Sequence, residues 1–373
     1  MARKPPVSLP SPKPAKAHFK ALRELLAHPN VCSRHSVITQ YDHEVQGGTA
    51  IKPLQGRYGD GPGDAAVIWP HSATGDVNDY SGFAVTHGFN PSVGRIDPYQ
   101  MALYSIDEAV RNLLCAGSEI SKTALLDNFC AASPADPEVM GDLVQAAEGC
   151  YDAAIGYGAP FISGKDSFYN QSRDAAGKDY PIPISLLISA VAPVEDARKA
   201  ITINFKEAGN PLYLAGRGEK GLGGSVYGEM YSGDRRIGSV NIKAAVKLYT
   251  AVLKTIKKGC VPAAHDVSQG GLAVTLAEMA FSGGLGAKLD LAGAQAGKGF
   301  SEQELLFGES PSRLVLEVSK EKEAEFLKIV KGLPVRKIGF VSREPELDIR
   351  LGKKRLLKEN IWSLKNCWKR DLL

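Results

Sequence analysis

No two of the six cysteines (Cys32, Cys115, Cys130, Cys150, Cys260, Cys367) stand in a Cys-x-x-Cys pair. Their scatter argues against a structural zinc site or a disulfide framework, and it fits a reducing cytoplasm. No apolar run approaches the roughly 18 residues of a membrane span. The N-terminus is basic and proline-rich without a hydrophobic segment, so nothing in it calls for export. Large charge of one sign is also missing. The formal net charge is only +4. Its excess sits at the ends: Arg3, Lys4, Lys13, Lys16 and Lys20 precede any acid, and Lys353, Lys354, Arg355, Lys358, Lys365, Lys369 and Arg370 crowd the C-terminus. These cations are not interleaved with aromatics on one folded face, which speaks against nucleic-acid binding and for solvated tails.

What is present is the composition of a soluble globular protein: 373 residues, 44% hydrophobic and 23% charged, enough for roughly two or three domains with real cores. Residues 1–64 read as a tail and linker. Pro5, Pro6, Pro10, Pro12 and Pro14 keep the first stretch extended; a short amphipathic helix, His18 to Ala27, follows, and Gly56 to Asp64 forms a loop. Asp42, His43 and Glu44 could be metal ligands, but with no second cluster nearby in sequence a hydrogen-bonded turn is the better reading.

Residues 65–195 carry an α/β pattern in the order strand, strand, helix, strand, helix, strand, strand. Asp97-Pro98 and Asp136-Pro137 open the two helices as N-cap followed by proline at the first helical position. Residues 206–345 form a second α/β unit, with strands at Pro211–Ala215, Leu314–Val318 and Val335–Val341 and helices at Asn241–Lys258 and Leu272–Gly283. Residues 346–373 read as a basic tail.

Three stretches carry chemistry. After a short strand at Pro160 to Ser163, Gly164-Lys-Asp-Ser167 crowds a flexible backbone, an ammonium, a carboxylate and a hydroxyl into one turn, which suits a phosphate or a metal-bound phosphate; an ordinary polar turn is the bland alternative. Gly216-Arg-Gly-Glu-Lys-Gly221 is literally Gly-x-Gly-x-x-Gly, yet the glycines that follow are too dense to open the helix a dinucleotide site requires. The P-loop pattern fails too, because Gly158 lies six residues before Gly164 and Asp166 stands where Ser or Thr is needed. Ala264-His-Asp-Val-Ser-Gln-Gly-Gly271 feeds a helix and reads either as an anion cradle or as helix capping by Asp266 and Ser268.

Six motifs agree in order: Tyr41-Asp-His-Glu-Val-Gln-Gly-Gly48, Asp97-Pro-Tyr99, Leu126-Asp-Asn-Phe129, Phe161-Ile-Ser-Gly-Lys-Asp-Ser167, Ala264-His-Asp-Val-Ser-Gln-Gly-Gly-Leu272 and Leu306-Phe-Gly-Glu-Ser310. From about residue 20 onward the chain resembles phosphoribosylformylglycinamidine synthase, within the superfamily of aminoimidazole ribonucleotide synthetase. The resemblance implies an N-terminal α/β sandwich followed by a C-terminal α/β domain. It extends to the second half only of a duplicated synthetase subunit; the first half, which bears the catalytic histidine, has no counterpart in this sequence. Carried across the matching positions, it implies that Asp127, Gly164 and Lys165 contact ATP and that Ser167 contacts substrate. Family members that hold magnesium through an asparagine at position 165 differ from this chain, where Asp166 is the candidate for the metal. His265, Asp266, Ser268, Gly270, Glu309 and Ser310 are further candidates for nucleotide or phosphate.

The implied reaction is ATP- and magnesium-dependent conversion of formylglycinamide ribonucleotide to its amidine in purine biosynthesis. Ammonia would come from a separate glutamine amidotransferase subunit, and the N-terminal half would be a required partner. The alternatives are a nucleotide-binding half without catalysis, and a stand-alone homodimeric synthetase or kinase of the same superfamily. Selenophosphate synthesis is disfavoured because no reactive Cys-Gly motif is present.

Overall fold

A computed structural model describes residues 17–76, 78–293 and 299–370; the proline-rich stretch 1–16 lies outside the described residues. Two mixed sheets, one per domain, organise the fold. The first has six strands in the order β1-β2-β3-β8-β4-β5, with β1 at Thr49–Ile51, β2 at Ala66–Ile68, β3 at Gly82–Phe89, β4 at Ala124–Cys130, β5 at Phe161–Ser167 and β8 at Ser185–Val194. A small ribbon of β6 (Gln171–Arg173) and β7 (Asp179–Pro181) projects between β5 and β8. The second sheet has seven strands in the order β10-β12-β9-β13-β11-β14-β15. They are β9 (Pro211–Ala215), β10 (Ala263–Asp266), β11 (Gly286–Asp290), β12 (Leu314–Glu317), β13 (Val335–Ser342), β14 (Glu346–Leu351) and β15 (Lys354–Asn360). The chain is therefore a two-domain α/β protein.

Seven helices matter for the site: α1 (His18–Leu26), α2 (Pro98–Cys115), α3 (Pro137–Tyr157), α4 (Ile242–Lys257), α5 (Gly271–Gly283), α6 (Glu323–Ile329) and α7 (Ile361–Trp368). Helix α2 starts where Asp97 accepts from Gln100 N and Pro98 occupies the first turn, and α3 starts in the same way at Asp136. Both caps satisfy an otherwise orphan amide. Helix α2 is buried almost all round, polar residues included, because it lies between its own sheet and β10 of the second domain. One hydrophobic cluster runs from the first domain through α4 to Tyr213, Ala264 and Leu314. A second fills the other domain and takes in Leu22, Leu25 and Leu26 of α1 and Ile361, Leu364 and Trp368 of α7.

Three expectations change. Residues 346–373 are not a tail as far as they are described: they form β14, β15 and α7. Leu347, Ile349, Leu356, Leu357 and Ile361 are buried, and the basic residues of β14, β15 and the turn between them, Arg350, Lys353, Lys354, Arg355 and Lys358, are exposed, while Lys365 on α7 is buried. Residues 17–64 are likewise folded rather than linking, through α1, β1 and a docked loop. Gly164 to Ser167 is not a turn but the second half of β5, paired in parallel with β4 as far as Ser167 opposite Cys130. As the edge strand of its sheet, β5 exposes its polar residues to water while its backbone still pairs.

Candidate functional site

The residues singled out from the sequence fall into two groups. The first lies at the β4–β5 edge. Asp127 pairs with Gly164 and Phe129 with Asp166, while Asn128 pairs with Lys165 and Cys130 with Ser167. Alternation along a strand therefore puts Asp127 and Asp166 on the face of the sheet that holds buried Leu125 and Phe129, and Lys165 and Ser167 on the opposite face. Lys165 Nζ donates to Ser167 Oγ at 2.6 Å. Burial, helped by the neighbouring Asp166, holds the Asp127 carboxyl above the usual carboxylate range. Gly164 leaves room for the Asp127 carboxyl: a Cβ there would lie 2.0 Å from Asp127 Oδ1 and would displace it.

The second group surrounds a cavity of about 710 Å³ between the two domains, a size that suits a drug- or nucleotide-sized molecule. His265, Asp266, Ser268 and Glu309 line it, together with Asp64, His87, Asn90, Glu108, Asn112 and Glu278. None of the β4–β5 residues does. Strand β10 ends at Asp266, and the turn before α5 then folds back: Ser268 Oγ donates to Asp266 Oδ1 at 3.0 Å. His265 is held at both ring nitrogens, with Nδ1 2.7 Å from Asp64 Oδ1 and Nε2 3.1 Å from Glu278 Oε2. Burial alone would lower its pKa, but the Asp64 and Glu278 carboxylates outweigh that and hold the ring as imidazolium. Asp64, His265 and Asp266 each offer an atom within 4.8 Å of the others.

Gly270 lies behind this wall, tied to it through its backbone. Glu309 Oε1 accepts from Gly270 N at 2.7 Å and from Val226 N at 2.9 Å, so the amide expected to cradle an external anion is already occupied by the chain's own carboxyl. Burial, reinforced by Glu108 and Glu229, pushes Glu309 up to about 8. Ser310 turns away: its hydroxyl accepts from Glu219 N and donates to Glu219 O, which fixes the loop after β9. That loop, Gly216 to Gly221, opens no helix, in keeping with rejection of the dinucleotide reading.

The cavity's other wall comes from α2. Asp107 and Arg111, and Glu108 and Asn112, stand one turn apart. Arg111 Nη1 donates to Asp107 Oδ2 at 2.5 Å and its Nε to Asp266 Oδ2 at 3.2 Å. Asp107 also accepts from Tyr157, Tyr249 and Ser312, so it anchors both domains. Glu108 Oε2 accepts from Phe89 N and Asn90 Nδ2. Burial, opposed by Arg111 and aided by Asp266, raises Glu108 to about 7; burial likewise raises Asp266 to about 6. Asn112 Nδ2 donates to His87 O, but Asn112 Oδ1 is buried with no hydrogen-bond partner among the described residues.

Asp64, Glu108, Arg111, Asn112 and Glu278 were missed from sequence. The trace they leave is the polar quartet Asp107, Glu108, Arg111 and Asn112 inside a helix whose remaining spacing is that of a core helix. A core helix does not bury four such groups without a use for them.

Five carboxyl side chains face the cavity against Arg34 and His265, with Arg111 behind Asp266; burial keeps Glu309, and in part Glu108, in the neutral acid form near pH 7. A buried amide oxygen on Asn112, in a cavity that the carboxyls of Asp64, Glu108, Asp266 and Glu278 also line, suits a hard divalent cation, and through it a phosphorylated ligand. The pairing of one α/β domain with a second around such a cavity is the architecture that places this chain among known proteins.

The comparisons identify the class. Residues 62–191 match the N-terminal domain of AIR synthase related proteins and residues 207–352 their C-terminal domain, and the chain belongs to that family. Among characterised relatives it is 35% identical over 312 residues to phosphoribosylformylglycinamidine synthase subunit PurL of Thermococcus sibiricus, covering 83% of this chain and 40% of that protein. It is 34% identical over 361 residues to the subunit of the same name from Deinococcus radiodurans, covering 94% of this chain and 46% of that protein. The fold superposes on T. maritima PurL complexed with FGAR with a TM-score of 0.69 at 18% identity, covering 97% of this chain and 55% of that one. The chain thus spans under half the length of these curated relatives.

Proposed function

We propose that this chain acts as the second half of a phosphoribosylformylglycinamidine synthase, a cytoplasmic ATP-dependent C–N ligase of purine biosynthesis. Its partners in this reading are the N-terminal half and a glutamine amidotransferase subunit that delivers ammonia. The reading is carried by identity of 31–35% that runs through both domains to relatives named for that activity. A solved relative described as complexed with ATP, and another described as PurLQS, both from Thermotoga maritima, are consistent with nucleotide use and with assembly.

In this reading the β4–β5 edge contributes to an ATP and substrate site. Gly164 lets a nucleotide approach Asp127, Lys165 neutralises phosphate as a point charge, and Ser167 contacts formylglycinamide ribonucleotide. Asp166, beside Asp127, has the donor chemistry for magnesium. The interdomain cavity is a second place where magnesium fits, and the observation is Asn112 Oδ1, which has no hydrogen-bond partner among the described residues in a cavity that Glu108 and Asp266 also line. A bound ion would supply charge neutralisation for the phosphates of a nucleotide. Ser268, whose one O–H is given to Asp266, would then keep the turn in shape together with Gly270 and Glu309, and His265, engaged at both nitrogens, would hold charge rather than move a proton.

That engagement of His265 favours one alternative for the cavity, namely that it binds nucleotide without performing chemistry. The deciding experiment is ammonia-dependent ADP release by the purified chain with formylglycinamide ribonucleotide, ATP and magnesium, before and after adding a separately expressed first half. Turnover only after mixing is expected. Turnover by the chain alone would overturn the requirement for a partner, and silence in both with retained ATP binding would establish the non-catalytic reading.

A further inference from the structure

The carboxylate of Asp64 reaches His265 from a loop whose course is unusual. Residues 55–65 leave the first domain's margin and cross the second domain. The loop is closed on itself: Gln55 N donates to Gly61 O and Gly61 N to Gln55 O, both at 2.9 Å, and Gln55 Nε2 donates to Ala65 O at 2.9 Å. It sits directly on α5, because Arg57 N donates to Ser282 O and a Cβ at Gly56 or Gly61 would lie 2.5 Å or 2.1 Å from atoms of Ser282. Only glycine allows that approach. At its far end Asp64 places Oδ1 on His265 Nδ1 and accepts through Oδ2 from Asp266 N at 3.2 Å.

The loop's tip is gripped by α7. Lys365 Nζ lies 2.6 Å from Asp60 Oδ1, and Lys369 Nζ lies 2.5 Å from Asp60 Oδ2. Lys365 is 6% exposed, an unusual burial for lysine. Its ammonium also lies 4.8 Å from the ring centre of Tyr58, on the same loop, and 5.8 Å from that of Trp362, one turn back on α7. Those two rings meet edge-on at 5.7 Å. A cation held by a carboxylate and two aromatic faces has one place to sit. Trp368, one turn further along α7, lines the cavity itself and donates to Val31 O at 3.0 Å.

We infer that Lys365 is a positioning residue for the interdomain cavity: through Asp60 it latches the loop that delivers Asp64 to His265 and Asp266. Asp60 precedes, and Lys365 follows, the stretches at 62–191 and 207–352 that match the two family domains. The latch therefore ties the chain's two flanks to the centre of the molecule. Its geometry stands without any ligand; its consequence for nucleotide binding rests on the function proposed above.

The test uses the whole chain with Lys365→Met, which keeps the packing on Tyr58 and Trp362 but removes the charge, with Lys365→Arg as the conservative variant, and with Asp60→Asn as an independent break from the other side. The readout is the pair of ring 15N resonances of His265 at neutral pH, assigned through His265→Gln, together with amide exchange at Arg57 and Gly61. Lys365→Met and Asp60→Asn should shift the His265 Nδ1 resonance and speed exchange at both amides at least tenfold, while amides in β9 keep their protection. Lys365→Arg should restore both. If the ring resonances and loop amides of folded Lys365→Met and Asp60→Asn match the parent, the latch is refuted even if their unfolding midpoints fall. Should Lys365→Met not fold, Asp60→Asn, whose side chain is partly exposed, decides alone. Because neither readout needs a nucleotide, a chain that never binds ATP sinks the functional proposal without touching this one.

Discussion

Arg111 Nε, in the middle of α2, lies 3.2 Å from Asp266 Oδ2 at the end of β10, and both side chains are almost completely shielded from water. With Asp107 on the other side of the guanidinium, this is the buried ionic joint between the two domains. Removing the cation strands two buried carboxylates. Arg111→Met should therefore cost about 3–5 kcal/mol of unfolding free energy. Asp266→Asn, which leaves Arg111 paired with Asp107, should cost less. Denaturant unfolding of both variants checks the order, and a loss under about 1 kcal/mol for Arg111→Met would show that the joint is not holding the domains.

Glu309 supplies a pH dependence. Its folded pKa, about 8, lies above the ordinary value of 4.5, so between those values the folded chain holds a proton that the unfolded chain has released. Stability from this group must then fall as pH rises through that window, on the order of a few kcal/mol across it. Glu309→Gln, which stays neutral, should flatten the decline and be more stable than the parent at pH 8 to 9. Thermal midpoints of the pair between pH 5 and 9 are the measurement; parallel curves would mean that Glu309 is ionised in the fold.

At the sheet edge the sensitive position is Gly164. A methyl group there would meet Asp127 Oδ1 at 2.0 Å, so Gly164→Ala must push the carboxylate aside. Because β5 is an exposed edge strand, the fold should tolerate this with little change in melting temperature. ATP affinity, by equilibrium dialysis in the presence of the first half, should drop at least tenfold, about 1.4 kcal/mol. Unchanged affinity would remove Asp127 and Gly164 from the nucleotide site.

The unpartnered oxygen of Asn112 makes magnesium testable without activity. An ion that binds only the folded chain raises its stability by about 1.4 kcal/mol at tenfold excess over its dissociation constant. Millimolar magnesium should lift the melting temperature of the parent, and Asn112→Leu should abolish the response while leaving a folded protein. An identical rise in both would place the ion elsewhere, with Asp166 as the next position to vary.

Much of this was legible in the residues. Asp97-Pro98 and Asp136-Pro137 announce their helices because a side-chain acceptor and a fixed backbone angle act locally. The same local logic separates the glycine-dense stretch from 216 onward from a dinucleotide loop. The basic segment after residue 346 misled because charge dominates its composition, whereas the alternation of Leu347 and Ile349 with polar neighbours is what builds β14. Gly164 to Ser167 misled for the converse reason: turn-forming residues extend a strand when an adjacent strand offers it a ladder.

The division follows from range. Patterns repeating over 2 or 3.6 residues act within the segment that carries them, so the chain alone determined its helix starts, most of its strands, the two α/β units and the kinship of its motifs. The cavity required residues 64, 108, 112, 266, 278 and 309 to meet. Only 108 and 112 are joined by a local rule, one turn apart on α2; the rest meet through the packing of each domain and the docking of one on the other. Tertiary packing decided that Gly164 to Ser167 extend β5, so that Asp166 and Lys165 face apart, that Glu309 fills the amide of Gly270, and that a lysine eight residues from the C-terminal end grips the loop holding Asp64 against His265. Burial then set their charges, because a carboxyl's proton affinity depends on the neighbours and the water that folding gives or takes away.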